Sequence, residues 1–374
     1  MKIAFFICDC GNGHATRFIA IIERLLLLNK LKKIYIICGS NFNFIKNNIS
    51  KLALNDLEIK YLVKDSVFSW FPGKDGCPNE KKLKSYYDKS FLERIEKLIE
   101  EESKSIKGVD IIVNDGMPYA NMIAKNLKIK SFSIFHFQWS WFLNKCHFSL
   151  VPDYVLKKIN FYEKNSTLNF CSEFTPGEIK NKLKNTVIIE PIIRNDIKNL
   201  KDYEFQDNDI FNISIIDSGA NLSSQKILSI LNNPYFLKFR KIKKIVFNVF
   251  TGINYEIKNR NEINFYKNLA RKDFLIKLKK SRLVIARPGF NLLSELIYLN
   301  KPCLFFCENG NPEMVDTIYQ IAKKGINNIL PDDYEQQYYK IGESLNSNKN
   351  IYSLTNVVNK FDGASKVADY IINL

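Results

Sequence analysis

The run Lys2-Ile-Ala-Phe-Phe-Ile-Cys8-Asp-Cys-Gly11-Asn-Gly13-His14-Ala-Thr-Arg17 decides how this chain is read. An apolar, aromatic stretch ends at Cys8, glycines at 11 and 13 permit a tight turn, and helical spacing starts at His14. Strand, glycine turn and helix together open a parallel sheet with crossover helices. The same pattern continues, with strands predicted near residues 34–38, 58–63, 111–114 and 130–135 and helices near 14–29, 81–103 and 118–127. A second series restarts with strands near 211–216, 245–250, 283–286 and 302–307 and helices near 223–231, 272–280, 292–299 and 312–324. The expected class is α/β, two doubly wound Rossmann-like domains facing across a cleft, at residues 1–190 and 191–361. The linker is read at Glu190 to Ile197 and the polar stretch to Asp209. A last helix, in 362–374 and capped by Asp362, is expected to pack back on the first domain.

A hydrophobic fraction of 46%, with 15 Gly and 11 Pro in 374 residues, excludes disordered, collagen-like and small disulfide-stapled molecules. The net charge of +16 suits a phosphate ligand, a lipid surface or nucleic acid. The excess is spread over both halves, and Lys, Asn and Ile are abundant throughout, as a biased codon pool produces, so no nucleic-acid partner is expected. No run of about 18 apolar residues occurs, and the first turn comes too soon for a secretory signal. A cytoplasmic location is expected, with peripheral contact at an anionic inner plasma-membrane face as its extension. The eight Cys lack paired CxxC spacing and there are three His, so neither a metal nor a cofactor is expected, and the thiols read as reduced.

In doubly wound sheets ligands bind beyond the C-terminal strand ends, so the loops there carry the candidates. Gly11, Asn12 and Gly13 can bring backbone N–H groups to an oxyanion, although the dinucleotide fingerprint and its acidic residue are missing. His14 falls at a helix N-terminus, where the dipole disfavours imidazolium, and a neutral ring can take a proton from a hydroxyl. Its structural alternative is a cap or loop packing. Asp115 closes a strand and either orients His14, binds an acceptor hydroxyl, or caps the helix near Pro118. His136 and Trp139 open an aromatic stretch that, with residues 67–72, is either an acceptor platform, a membrane-dipping surface, or plain core. Gly11, Asn12, Arg17, His136 and Trp139 are thus the candidate acceptor contacts.

The segment Ser281-Arg-Leu-Val-Ile-Ala-Arg287-Pro-Gly289-Phe290-Asn-Leu-Leu-Ser294-Glu295 reads as a buried strand, a turn and a helix. Its helix N-terminus can hold a diphosphate, and Glu295 can accept two hydrogen bonds from a ribose diol. Glu313, at the start of another helix, can face the same pocket.

These residues resemble the GT-B nucleotide-sugar glycosyltransferases, nearest to the MurG-like branch that adds N-acetylglucosamine to a lipid-linked acceptor. Gly13-His14, the Arg287, Gly289, Ser294 and Glu295 spacing, the hinge Pro191 and Arg194, and the final Gly363-Ala to Ile371 pattern all match in order. The resemblance implies transfer of a hexose or N-acetylhexosamine from a nucleoside diphosphate sugar, UDP first among them, to a glycan or lipid-linked acceptor, with inversion. By position it makes His14 the base, aided by Asp115. Glu295 becomes the ribose ligand, and Arg287 and Arg194 the diphosphate contacts. Gly13, Ser218, Gly219, Gly289, Phe290, Ser294, Glu313 and Met314 complete the donor site. Met314 and Thr317 depart from the usual residues, which leaves the donor sugar open, and Phe290 stands where a small residue is common, which bears on how the nucleotide's base is held. A nucleotide-sugar hydrolase or epimerase, and a non-catalytic nucleotide-sugar binder, stand as alternatives.

Overall fold

A computed structural model describes residues 1–49, 52, 57–64, 67–73, 76–146, 150–200, 210–217, 223–235, 244–253, 262–267, 269–306, 310–325, 327–346 and 361–373. Two compact units emerge. The first takes the described residues of Met1–Phe71, Pro78–Arg194 and Lys360–Leu374, the second those of Pro72–Cys77 and Asn195–Asn359.

The first unit is built on strands β1 (Lys2–Ile7), β2 (Lys33–Cys38), β3 (Glu58–Val63), β4 (Ile111–Asp115), β5 (Lys130–Phe135), β6 (Leu168–Ser172) and β7 (Thr186–Ile189). All are parallel, in the order β3-β2-β1-β4-β5-β6-β7. Its helices are α1 (Asn12–Leu27), α2 (Phe42–Ile49), α3 (Glu80–Tyr86), α4 (Lys89–Ser105), α5 (Ala120–Leu127), α6 (Trp139–Cys146), α7 (Asp153–Lys164) and α8 (Gly177–Lys180). β1 is an unbroken apolar run because helices cover both faces of the sheet. Its alternation divides it: Ala4 and Phe6 enter a core with Phe91, Ile123 and Ile159, while Ile3, Phe5 and Ile7 enter one with Phe18, Ile22 and Val367. Each such Phe or Ile contributes about 1.5 to 3 kcal/mol by leaving water.

The second unit holds α9 (Asn195–Lys198), β8 (Ile210–Ile216), α10 (Ser224–Leu231), β9 (Lys244–Phe250), β10 (Ile263–Tyr266), α11 (Arg271–Lys280), β11 (Leu283–Ala286), α12 (Phe290–Tyr298), β12 (Cys303–Phe305), α13 (Pro312–Ala322) and α14 (Tyr334–Asn346). Its parallel sheet runs β10-β9-β8-β11-β12. The last helix, α15 (Gly363–Ile372), packs on α1 within the first unit through Ala364, Val367, Ala368 and Ile371. A Cβ on Gly363 would lie 2.0 Å from the Glu190 carbonyl oxygen, so only glycine lets this helix sit so close.

Several expectations are corrected. The single helix predicted over 81–103 is two, because Tyr87 leaves the helix to bury its ring and Asp88 restarts it by accepting from Phe91 N at 3.0 Å. Asp362 occupies the cap position of α15 without a side-chain hydrogen bond. β6, β7, β10, α2, α6, α7, α8, α9 and α14 stand where the sequence pattern predicts no element. Among the described residues no helix is long and apolar enough to cross a membrane.

Candidate active site

In both sheets the strand order reverses beside the first strand of the unit, at β1/β4 and at β8/β11. Loops leaving such a pair diverge, which opens a place for a ligand at their C-terminal ends. The candidate residues of each unit gather there.

In the first unit Ile7 pairs with Asp115, and Cys8 N donates to the Asp115 carbonyl at 2.9 Å, which brings the loop after β1 onto the end of β4. His14 Nδ1 lies 2.6 Å from Asp115 Oδ1. Arg17, one helical turn beyond His14, donates through Nε to Oδ2 and through Nη2 to Oδ1, each at 2.8 Å. Arg17 Nη2 also stands 3.1 Å from His14 Nδ1. Both atoms carry protons when Nδ1–H donates to Asp115, so that approach is proximity rather than a hydrogen bond. The arrangement fixes the Nδ1–H tautomer, and His14 Nε2 has no partner among the described residues.

The charges follow from burial. Burial alone would raise the Asp115 pKa, but Arg17 and then His14 outweigh it and hold the carboxyl at about 2. Burial disfavours the His14 imidazolium, yet Asp115, with a smaller share from Cys8, more than compensates and raises its pKa above the ordinary 6.5. The expected dipole effect, which would keep the ring neutral, is therefore outweighed by an ion pair. Asp115 is also not the cap of a helix at Pro118, since α5 begins at Ala120 and the carboxylate is engaged by His14 and Arg17.

Gly116 makes the contact possible. Its φ is +75°, and a Cβ there would come within 2.9 Å of Cys8 Cβ and 3.1 Å of His14 Cε1. Its carbonyl accepts from the Trp139 indole at 2.9 Å.

The acceptor contacts expected from sequence are largely redistributed. Arg17 is buried, its guanidinium committed to Asp115. His136 is buried, and burial, with Arg17 and Lys180 nearby, lowers its pKa to about 3. Trp139 is in the core, stacked on Phe68 at 5.5 Å, with Phe142 also buried. The aromatic stretch is thus mainly core, which leaves these three rings no route to a bilayer. Gly11 and Asn12 are exposed at the start of α1, and Gly13 is half-buried beside them.

In the second unit β11 ends at Ala286, followed by buried Arg287, and Gly289 precedes α12. A Cβ on Gly289 would meet nothing within 4 Å, so the space before this helix N-terminus is open. Glu295 accepts from Arg271 Nη2 at 2.8 Å, and Arg271 is anchored in turn by Asp196 Oδ2 at 2.7 Å from Nε. Only Oε1 of Glu295 is engaged among the described residues, which leaves Oε2 for another donor. Arg271 and Asp196 were not anticipated; one arginine among 55 basic residues carries no local signal.

Other donor candidates have different partners. Ser294 is fully buried and its hydroxyl donates to the Phe290 carbonyl at 2.8 Å, which turns it into its own helix. Phe290 and Met314 are buried, while Glu313 is half-buried with its N–H capped by Asn311 at 3.1 Å. Arg194 belongs to the first unit, where it donates to Asn48 Oδ1 at 2.8 Å and pairs with Glu23 at 3.5 Å. Its expected diphosphate contact gives way to that buried pairing. Ser218 and Gly219 lie outside the described residues. One cluster of ligand-type groups occurs among the described residues, Cys8, Asp9 and Cys10, with ligand atoms within 4.8 Å of one another. The Cys10 thiol donates to the Phe68 carbonyl and Asp9 accepts from Ser40 N.

No family profile and no curated protein matches the chain. Solved structures do. Arabidopsis thaliana UGT89C1 with quercetin superposes with a TM-score of 0.68 at 12% identity, over 100% of this chain and 98% of that one. The glycotransferase of kitacinnamycin gives 0.70 at 10%, over 100% and 98%. A Listeria monocytogenes protein described as a UDP-N-acetylglucosamine 2-epimerase gives 0.63 at 13%, over 100% and 94%. The fold is GT-B.

At these identities the likeness is one of fold. Within this GT-B chain each cluster has its own chemical capacity. The first can take a proton at His14 Nε2 and stabilise the resulting imidazolium against Asp115. The second offers an open helix N-terminus and an arginine-held carboxylate, the complements of a diphosphate and of a diol.

Proposed function

We propose that this chain is a glycosyltransferase that moves a hexose or N-acetylhexosamine from a UDP-sugar to an acceptor hydroxyl on a lipid-linked or cell-envelope glycan, in the manner of the MurG-like branch. The observation that carries the reading is the His14–Asp115 pair at the order reversal of its sheet, a base with its tautomer fixed. UGT89C1, a fold neighbour, has been solved with UDP-L-rhamnose, which supports a UDP-sugar as the donor class.

The acceptor hydroxyl gives its proton to His14 Nε2 as its oxygen attacks the anomeric carbon. The bond from that carbon to the diphosphate oxygen breaks, and the electron pair leaves with UDP. Asp115 holds the imidazolium so formed. Arg287 and the N–H groups opening α12 take up the charge on the leaving diphosphate, so the reaction needs no metal. A single displacement inverts the anomeric centre. Glu295, oriented by Arg271, holds the ribose.

The test uses labelled UDP-glucose and UDP-N-acetylglucosamine with and without extracted lipid-linked acceptors. Acceptor-dependent labelled product is expected. His14→Ala should lower turnover by about 100-fold or more, the range of a lost general base, while UDP still binds. Undiminished transfer by that variant sinks the mechanism. The epimerase among the fold neighbours favours a second reading, and an epimerised UDP-sugar formed without acceptor would establish it.

A further inference from the structure

A groove of about 240 Å³ lies in the first unit against α6, α7 and α8, and neither His14 nor Asp115 lines it. Its walls are richer in unmet hydrogen-bonding groups than packing requires. Gln138 is only 8% exposed, lines the groove, and its carboxamide makes no hydrogen bond among the described residues. Asn144, which is exposed, and Asn160, which is half-buried, bring two more carboxamides to the groove lining. The Trp141 indole N–H is buried at the wall with no acceptor among the described residues, although buried indoles normally find one.

Charge selects among occupants. The acidic groups on the rim are already neutralised, Asp153 by Lys157 at 2.6 Å and Glu178 by Lys145 at 2.9 Å. Lys164 and Lys182 line the groove with no ion pair among the described residues. The remaining wall is apolar, with the Trp141 ring, Leu156 and Ile179. The volume falls below the roughly 300 to 1,000 Å³ of drug-sized sites, which limits the occupant to about one ring.

We infer that this groove binds a single hexopyranose carrying an anionic group, a uronate or a hexose phosphate. Its C–H face lies on Trp141 and Leu156, its hydroxyls bond the carboxamides of Gln138, Asn144 and Asn160, and its oxyanion meets Lys164 and Lys182. Resting on the transferase reading, this sugar is the recognised unit of the acceptor.

Calorimetric titration of the full chain, without nucleotide, tests the groove separately from the transferase reading. The probes are methyl β-glucuronide, glucose 6-phosphate, methyl β-glucoside and inorganic phosphate. At least one anionic sugar should bind tenfold or more tighter than the neutral glucoside and than inorganic phosphate. Binding of the glucuronide alone or of the phosphate alone identifies the oxyanion. Lys164→Gln with Lys182→Gln should remove the anion preference, and Gln138→Leu or Trp141→Phe should weaken binding about tenfold with the melting temperature and UDP affinity kept. If no sugar binds, if the glucoside or inorganic phosphate binds as tightly, or if the folded variants bind like the parent, the inference fails. Sugar binding without any transfer would leave the groove standing and remove its link to an acceptor.

Discussion

At Asp115 a buried carboxylate meets an imidazole and a guanidinium at once, and the proton sits where their competition puts it. Asp115 favours the imidazolium, while burial and Arg17 oppose it. His14 is therefore expected to titrate above 6.5 in the parent. In Asp115→Asn its pKa should fall, because the main group favouring the imidazolium is gone while burial and Arg17 still oppose it. His136 should stay neutral until about pH 3. Following the histidine ring protons by NMR from pH 5 to 9 checks both, and a parent His14 pKa at or below 6.5 contradicts the geometry. Sequence made His14 and Asp115 legible because each ends or follows a strand with turn chemistry beside it. It gave no reason to single out Gly116, since Asp-Gly after a strand reads as an ordinary turn. That its missing Cβ makes room for His14 depends on the register of β1 against β4, a contact 100 or so residues apart in the chain.

Element by element, the least legible part of the fold was the stretch from β5 to β7. In α6 the buried residues Trp139, Phe142, Leu143 and Cys146 keep the helical period, but the helix is only two turns long and Trp141, which edges a groove, adds an aromatic ring off that stripe and masks it. β6 is short and almost wholly buried, so it shows no alternation. One buried acid ties these elements together. Glu163 on α7 accepts from Ser140 N at 3.2 Å and from the Ser140 hydroxyl. Burial outweighs those hydrogen bonds and pushes its pKa from 4.5 to about 7. Between these values the folded protein holds a proton that the unfolded chain has released, so stability falls as pH rises through the window and levels off above it. The loss is about 3 kcal/mol for this group. Glu102, raised to about 7 by its own burial, adds a similar share. Glu163→Gln is expected to remove the first share, making the variant relatively more stable than the parent at pH 8 than at pH 4.5. Urea unfolding at those two pH values measures it, and parallel curves for variant and parent would show that Glu163 is not protonated in the fold.

For the whole molecule, the two sheets were legible in sequence because parallel strands buried on both faces leave unbroken apolar runs, and the glycine turns mark where each unit restarts. The partners of Glu295 were not, since Arg271 and Asp196 come from separate elements of the second unit. Their arrangement carries a consequence for ligand binding as a whole. A carboxylate held by arginine at one oxygen and open at the other is set to distinguish a ribose from a deoxyribose. UDP should therefore raise the melting temperature more than 2′-deoxy-UDP does. At a concentration 100 times its Kd, UDP stabilises by about 2.7 kcal/mol, enough for a clear thermal shift. Glu295→Gln should lower UDP affinity by roughly tenfold or more, the worth of a hydrogen bond to a charged group, and bring it level with the deoxynucleotide. Arg271→Ala should do the same by releasing the carboxylate, whereas loss of a merely structural ion pair would lower the melting temperature and leave the ribose preference intact. His14→Ala, in the other unit, should change neither the affinity nor the preference. A parent that binds both nucleotides equally would remove Glu295 from the donor site and leave the proposed transferase without its ribose contact.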